Sequence, residues 1–273
     1  MPFAPAPVDP GNALVYLSSV IKYWLLIAIA LLDYGSVFSQ PNLPTKHKSV
    51  IYRVQQVDSS YIKEATGVIF RDKNMFFLIT NKHVVETNTG GISDSLVLLM
   101  NSVTKKGETI STSNRRSIYL KRPGNVFYFL PSLTGIDLIL IALGMNNSNI
   151  SKVDTVYSIS DSTILSIDDI YKLLDKNLVF TAVGYPGKGF SLSERTPEYI
   201  WGDYLGIVGD YITLNVPAQP GNSGSPVLVR KNQSYYFIGI VAKVDTVKKI
   251  SYAIPSSYIK ECFKKFFEYI DKR

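Results

Sequence analysis

The chain has 273 residues, of which 46% are hydrophobic and 12% aromatic, with a net charge of +7 and one cysteine. Its length allows one unit with a substantial core and little beside it. One cysteine excludes an intramolecular disulfide. The Lys and Arg residues are spread along the chain and no nucleic-acid motif accompanies them, which favours a solvated surface over a nucleic-acid or anionic-membrane partner.

The N-terminal segment, residues 1–39, differs from the rest of the chain. Lys22 precedes an apolar run over residues 23–32, and small residues follow it. This order predicts a secretory signal that is cleaved before Gln40. Residues 13–32 taken together approach the length of a membrane span, interrupted by Lys22 alone, so a retained anchor is the alternative. Either interpretation places the body outside the cytoplasm, as a periplasmic or secreted protein or one attached to a membrane.

Short strands separated by polar turns are predicted through the first half of the chain, residues 48–143. Residues 67–70 and 75–80 form a hairpin whose second strand ends just before His83. The pattern is typical of a closed barrel rather than of parallel α/β units. Residues 144–150 are then a linker, and the other predicted strands are 95–100, 117–121, 126–130 and 136–143.

The second half, residues 155–255, repeats this organisation after a short helix over residues 166–176. Apolar residues then recur at helical spacing in the last segment, residues 256–273, with Ser256 or Ser257 as the cap. This helix is expected to pack on a barrel, with a membrane or partner face as the alternative, and to bury Cys262 as a structural thiol. The strands are predicted at 178–184, 198–207, 211–216, 226–230, 235–241 and 250–254.

Three motifs place a histidine, an aspartate and a serine in that order, each at the edge of an apolar strand. They are Leu78-Ile79-Thr80-Asn81-Lys82-His83-Val84-Val85, Gly135-Ile136-Asp137-Leu138-Ile139-Leu140 and Pro220-Gly221-Asn222-Ser223-Gly224-Ser225-Pro226-Val227. A serine hydroxyl is a weak nucleophile at neutral pH. It needs an adjacent base, a carboxylate that orients the base, and donors for the oxyanion.

These motifs resemble those of the chymotrypsin-like (trypsin-fold) serine peptidases, and within that group the bacterial Deg-type (HtrA) branch is most similar. The phrases at residues 183–187 and 251–255 extend the similarity, which covers roughly residues 48–260. The resemblance implies an all-β fold of two antiparallel six-stranded barrels with the active site in the cleft between them, plus a C-terminal helix. The first barrel would carry His83 and Asp137, and the second Ser223.

The same resemblance implies the role of each residue. His83 is the general base, Asp137 holds its tautomer, and Ser223 attacks the scissile carbonyl. An aspartate among apolar neighbours is costly without a partner, which supports this role for Asp137. The backbone N–H groups of Gly221 and Ser223 would form the oxyanion hole, where glycine allows the strained turn.

The sequence differs from the family that it resembles in several features, and it also predicts a substrate pocket. Ser225 stands where many relatives carry a second glycine, no PDZ-like module is expected after the helix, and the lack of disulfides favours a bacterial version. Residues 214–221 contain no carboxylate, so cleavage after apolar residues is expected, with Asp245 as the possible source of a basic preference. The pocket is predicted from Pro217, Ala218, Val241, Ala242 and Lys243.

The sequence therefore predicts an exported serine endopeptidase that acts on polypeptides through an acyl-enzyme, without a cofactor, metal or nucleic-acid partner. The alternatives are a catalytically silent trypsin-fold binding module and a membrane-tethered scaffold, the latter resting on residues 13–32 alone. Residues 184–189 lack the Gly-Lys-Ser/Thr ending of a phosphate loop and are expected to be a loop near the cleft. The sequence does not specify an oligomeric state.

Overall fold

The computed structural model describes residues 51–57, 62–72, 75–103, 109–122, 125–145, 159–160, 164–165, 167–174, 178–186, 197–231 and 234–272. The predicted signal or anchor lies outside these residues. The described chain is mostly β, as predicted. Its strands are β1 Ile51–Val57, β2 Ile62–Asp72, β3 Met75–Thr80, β4 Ser95–Val103, β5 Thr109–Tyr119, β6 Lys121–Arg122, β7 Asn125–Val126, β8 Tyr128–Phe129, β9 Ile139–Met145, β10 Ile159–Ser160, β11 Phe180–Gly184, β12 Glu198–Gly202, β13 Tyr204–Val208, β14 Tyr211–Leu214, β15 Pro226–Lys231, β16 Ser234–Asp245 and β17 Ile250–Pro255.

The strands form two main sheets. The first has the order β5-β4-β1-β2-β3-β9-β8, with β10 added in parallel to β2, and the second has the order β12-β11-β15-β16-β17-β14-β13. All neighbours along both orders are antiparallel, as expected for strands joined by short turns. The described pairings do not close either sheet into a barrel.

The predicted strands agree with the observed ones in most places, and the differences have local causes. The β2–β3 hairpin is confirmed, with Val68 opposite Ile79. The strand predicted over 198–207 is two strands, because the chain is interrupted at Asp203, whose N–H bonds the Asn215 side chain. Asp137, predicted within a strand, lies in the loop before β9.

Three helices are present in the described chain: α1 Lys82–Val85, α2 Ile167–Leu174 and α3 Ser256–Asp271. The predicted cap of α3 at Ser256 or Ser257 is wrong, because the N-cap is Pro255. Ser256 instead donates its hydroxyl to the Leu165 carbonyl at 3.1 Å. Within the described residues, no helix has both the length and the apolar character needed to cross a bilayer.

Aromatic side chains fill the space between α3 and both sheets. Phe70 of β2 packs edge-on against Phe237 of β16, with ring centroids 4.7 Å apart. Phe77 of β3 contacts Phe263 and Phe266 of α3 at 4.8 and 4.9 Å. Each fully buried aromatic of this kind stabilises the fold by about 1.5–3 kcal/mol. The helix therefore packs on the first sheet, at the place where packing on a barrel was predicted.

Candidate active site

His83 lies in α1, the single helical turn that follows β3. Its ring Nδ1 is 2.5 Å from Oδ2 of Asp137, and its backbone N–H donates to Oδ1 of the same carboxylate at 2.9 Å. Because an ionised carboxylate only accepts hydrogen bonds, Nδ1 carries the hydrogen and Nε2 keeps its lone pair. The ring is 46% exposed, so Nε2 is accessible to a reacting group.

Asp137 is fixed by its backbone as well as by its side chain. Its carbonyl oxygen accepts the side-chain amide of Asn81 at 2.8 Å and the N–H of Lys82 at 3.4 Å. Only 23% of the carboxylate-bearing side chain is exposed. The loop before β9 and the β3–α1 junction are thus joined at several points, which limits movement of the carboxylate relative to the imidazole.

Ser223 lies in a tight turn whose backbone is extensively bonded. Its neighbours Gly221 and Gly224 have φ values of +95° and +82°, which only glycine adopts without strain. The N–H of Asn222 donates to Gln219 at 3.0 Å, and the N–H of Ser225 donates to Asn222 at 2.9 Å. These bonds close the turn on both sides of the serine.

The two predicted oxyanion donors have no acceptor in the part of the chain that the structure describes. The carbonyl of Asn222 is held within the turn by Ser225, and the peptide bond that follows it is trans. A trans peptide directs its N–H opposite to its C=O, so the Ser223 N–H is directed away from that bond. The N–H of Gly221 is likewise unbonded among the described residues. Both N–H groups can therefore donate to a ligand.

The turn is fastened to the first sheet through Thr66 of β2. The Thr66 N–H donates to the Ser223 carbonyl at 2.8 Å, and its hydroxyl donates to the Gly221 carbonyl at 2.9 Å. The carbonyl of Thr66 accepts a hydrogen bond of 2.8 Å from the hydroxyl of Thr80. Thr80 lies three residues before His83 in the chain. The turn of Ser223 and the element of His83 are thereby anchored to the same strand.

Sequence reasoning missed the buried polar layer beneath this turn, which includes Thr66 and Ser225 and packs closely against Gly184. A Cβ on Gly184 would lie 1.8 Å from the Ser225 hydroxyl, and one on Gly224 would lie 2.0 Å from the Thr66 carbonyl. The backbones of Gly184 and Gly224 therefore lie so close to their neighbours that no side chain fits at either position. The available signal was a polar residue, Thr66, directly before Gly67 and the apolar run that follows it in β2.

The predicted pocket residues lie at different depths. Val241 contacts the turn directly, because its carbonyl accepts the Gly224 N–H at 2.8 Å and its N–H donates to Ser225 at 2.9 Å. Ala218 and Ala242 are buried, whereas Pro217 and Lys243 are exposed. Lys243 Nζ sits 4.3 Å from the ring centroid of Tyr211, a cation–π contact.

An open strand edge continues from Val241. β16 pairs with β15 through Ile240, and Val241 bonds the turn. From Ala242 onward, β17 is the only strand paired with β16 among the described residues. A bulge between Val241 and Lys243 leaves Ala242 out of the β17 register. Backbone groups of residues 242–244 on the free side are therefore available to an extended peptide.

Asp245 is the last residue of β16, and its carboxylate binds groups in the turn that follows. Its Oδ1 accepts the N–H groups of Val247 and Lys248 at 3.1 and 2.9 Å, and its Oδ2 is 3.8 Å from Lys248 Nζ. These bonds hold the β16–β17 turn. The carboxylate is therefore already used locally, which argues against the alternative that it forms the floor of a cation-binding pocket.

α3 supports the loop that carries Asp137. Glu261 accepts the N–H of Ser132 at 2.6 Å, and Lys265 donates to the Leu130 carbonyl at 2.8 Å. Although burial acts in the opposite direction, the Ser132 hydrogen bond and the neighbouring Lys265 lower the pKa of Glu261. On the buried face of the same helix, burial raises the pKa of the Cys262 thiol to about 12, which agrees with the predicted structural, unreactive cysteine.

Solved structures of proteases superpose on the fold of this chain. Over 80% of this chain and 97% of its own, protease Anisep from Arthrobacter nicotinovorans superposes with a TM-score of 0.55 at 12% identity. A Glu endopeptidase matches with a TM-score of 0.53 at 18% identity, covering 83% of this chain and 92% of its own. The fold is that of the chymotrypsin-like serine peptidases.

The HtrA-type branch is represented among these structures. The HtrA-type protease AlgW, solved with a tripeptide, matches with a TM-score of 0.52 at 17% identity over 82% of this chain. The match spans 62% of AlgW, so this chain corresponds to less than two thirds of that protein. No family model matches the sequence. No curated protein matches it either.

Proposed function

We propose that the protein is a serine endopeptidase that hydrolyses peptide bonds through Ser223, His83 and Asp137. The observation that carries the proposal is the pair of hydrogen bonds between His83 and Asp137, one from the ring Nδ1 and one from the backbone N–H, within a serine-peptidase fold. This pairing leaves Nε2 as the basic atom of the ring. The two sheets are proposed to be six-stranded barrels in the complete chain, with the site in the cleft between them.

The proposed reaction begins with attack of Ser223 Oγ on the scissile carbonyl carbon while His83 Nε2 takes the hydroxyl proton. The carbonyl electron pair moves to oxygen, and the oxyanion accepts the N–H groups of Gly221 and Ser223. Collapse of the tetrahedral intermediate breaks the C–N bond, and His83 returns the proton to the departing amine. Water then hydrolyses the acyl-enzyme by the same steps, with His83 again acting as base.

The substrate is proposed to be an extended polypeptide that adds to the free edge of β16 at residues 242–244. Main-chain bonds at a strand edge supply affinity without sequence information. Specificity then depends on the pocket beside the turn, where Ala218 and Ala242 are buried and no carboxylate occurs in residues 214–221. An apolar pocket of this kind favours a small or medium apolar residue before the scissile bond.

A serine-directed fluorophosphonate probe tests the proposed function directly. The purified wild-type protein should be labelled, Ser223→Ala should not, and His83→Ala should be labelled far more slowly because the base is missing. Ser117→Ala, at an exposed position on β5, is the matched control and should be labelled like wild type. A folded wild-type protein that resists labelling would instead indicate a catalytically silent binding module.

Action outside the cytoplasm is a separate proposal that rests on residues 1–39. Mass spectrometry of the protein from its native host should give a mature chain beginning at Gln40. An intact N-terminus in the membrane fraction would favour the retained anchor through residues 13–32. An intact, full-length protein in the cytoplasm would contradict both versions.

A further inference from the structure

Thr66 is completely buried in β2, and each of its polar atoms takes part in a hydrogen bond. Its N–H donates to the Ser223 carbonyl at 2.8 Å and its hydroxyl to the Gly221 carbonyl at 2.9 Å. The hydroxyl oxygen accepts the Tyr185 N–H at 2.9 Å, and the backbone carbonyl accepts Thr80 at 2.8 Å. Because Tyr185 occupies the oxygen from one side, the hydroxyl hydrogen is directed towards Gly221 rather than rotating freely.

The two carbonyls that Thr66 binds flank the peptide that bears the Ser223 N–H. One carbonyl belongs to the Gly221–Asn222 peptide and the other to the Ser223–Gly224 peptide. Thr66 therefore restricts the orientation of both peptide planes. Glycine has no steric preference that would keep Gly221 at φ +95°. The bond from the Asn222 N–H to Gln219 holds one end of the adjacent peptide, and the carbonyl end needs a second anchor. The hydroxyl of Thr66 provides that anchor.

We propose that Thr66 is a positioning residue for the oxyanion hole. This inference rests on the proposed peptidase function. Its hydroxyl keeps the Gly221–Asn222 peptide in the orientation that leaves the N–H groups of Gly221 and Ser223 directed at one oxygen. The residue does not touch substrate, and it acts through the turn. A hole formed in advance avoids reorganisation when negative charge develops, which is the main source of oxyanion stabilisation.

The matched variants are Thr66→Ser and Thr66→Ala, which both lack the methyl group and differ from each other by one oxygen atom. Thr66→Ser should keep kcat within about threefold of wild type, because the donor remains. Thr66→Ala should lower kcat by about ten- to hundredfold, the scale of a displaced catalytic group or an impaired oxyanion donor. KM should stay within about twofold, because ground-state binding to β16 is unchanged.

Thr213→Ala controls for the general loss of a buried hydroxyl. Thr213 is also buried, and its hydroxyl donates to a glycine carbonyl, that of Gly206 on β13, at 2.7 Å. This variant should lower the melting temperature to an extent similar to Thr66→Ala and leave kcat unchanged.

Inhibitors give a second measurement that a purely structural role would not change. A peptide aldehyde forms a tetrahedral adduct with an oxyanion, so its affinity should fall in Thr66→Ala by the same factor as kcat. The corresponding peptide alcohol cannot form this adduct and carries no anionic oxygen, so it should bind all variants equally. Thr66→Val, which keeps the volume but not the donor, repeats both measurements if the alanine variant does not fold.

Equal kcat in Thr66→Ala and wild type would contradict the proposal, as would a Thr66→Ser variant as impaired as Thr66→Ala. Failure of both Ala and Val variants to fold would also overturn it, because the hydroxyl would then act on folding. If the wild-type protein neither hydrolyses peptides nor reacts with the serine probe, the proposed function itself fails. An active wild type with unaffected Thr66 variants contradicts the Thr66 inference alone.

Discussion

Asp137 holds His83 at two points, accepting the ring Nδ1–H at one carboxylate oxygen and the backbone N–H at the other, at 2.5 and 2.9 Å. The carboxylate therefore fixes both the tautomer of the imidazole and the position of its backbone. A single hydrogen bond would leave the carboxylate free to rotate relative to the imidazole.

Asp137→Asn should lower kcat by about four orders of magnitude, the effect of this change in a Ser-His-Asp triad. If the amide oxygen keeps the backbone N–H of His83, the amide NH₂ faces Nδ1. Nδ1 must then accept, which places the hydrogen on Nε2 and removes the base.

Steady-state hydrolysis of one peptide by both proteins measures the effect. Asp94→Asn is the control, because Asp94 is exposed and pairs only with Lys121 at 3.6 Å among the ion pairs of the described chain. It should leave kcat unchanged. Near-normal turnover in Asp137→Asn would require a different orienting acid.

Gly224→Ala should destabilise the protein severely, by about 3 kcal/mol or more. The added Cβ would meet the Thr66 carbonyl at 2.0 Å, at a residue whose φ is +82°. Gly209→Ala is the matched control, since it also has a positive φ of +57° but nothing within 4 Å of its Cβ. It should cost only the conformational strain, about 1–2 kcal/mol. Urea unfolding of both variants measures the difference, and equal losses would show that the close approach is not rigid.

Glu261 gives the stability of the Asp137 loop a defined pH dependence. Its folded pKa is below the ordinary value of 4.5, so its contribution is present above about pH 4.5 and lost as the pH falls through the folded pKa. Glu261→Gln should therefore destabilise the protein at pH 7 by about 1 kcal/mol, given its partial exposure.

The difference in melting temperature between wild type and Glu261→Gln should shrink as the pH is lowered from 5 towards 3. Glu268→Gln is the control on the same helix, because the Glu268 side chain is 53% exposed and pairs with Lys264 at 3.8 Å. A constant difference at all pH values would show that the effect of Glu261 is unrelated to its charge.

The sequence identified the chemistry of the site better than the support beneath it. His83, Asp137 and Ser223 stand in short motifs whose residue types are needed for nucleophilic catalysis, and these can be recognised locally. Thr66 could not be found in this way, because its importance depends on contacts with Gly221, 155 residues away along the chain. The cap of α3 was mispredicted for the same reason, since Ser256 bonds Leu165, which is distant along the chain.

Cleavage specificity follows from the use of Asp245 in the β16–β17 turn. Peptides that differ only in the residue before the scissile bond, with Val, Leu, Phe or Arg, should be cleaved best at Val or Leu. One methylene more or less should change kcat/KM by only about ten- to two-hundredfold. Asp245→Asn should weaken the turn without changing this order. A dominant Arg preference that disappears in Asp245→Asn would show that the carboxylate reaches the pocket.

Peptide hydrolysis by the purified wild-type protein and by Ser223→Ala tests whether Ser223 is the nucleophile of a peptidase. The wild-type protein should turn over the peptide with an acyl-enzyme detectable on Ser223, and the alanine variant should show no turnover at an unchanged melting temperature. Hydrolysis that persists in Ser223→Ala, with the acyl group on no residue or on another one, would contradict this role of Ser223.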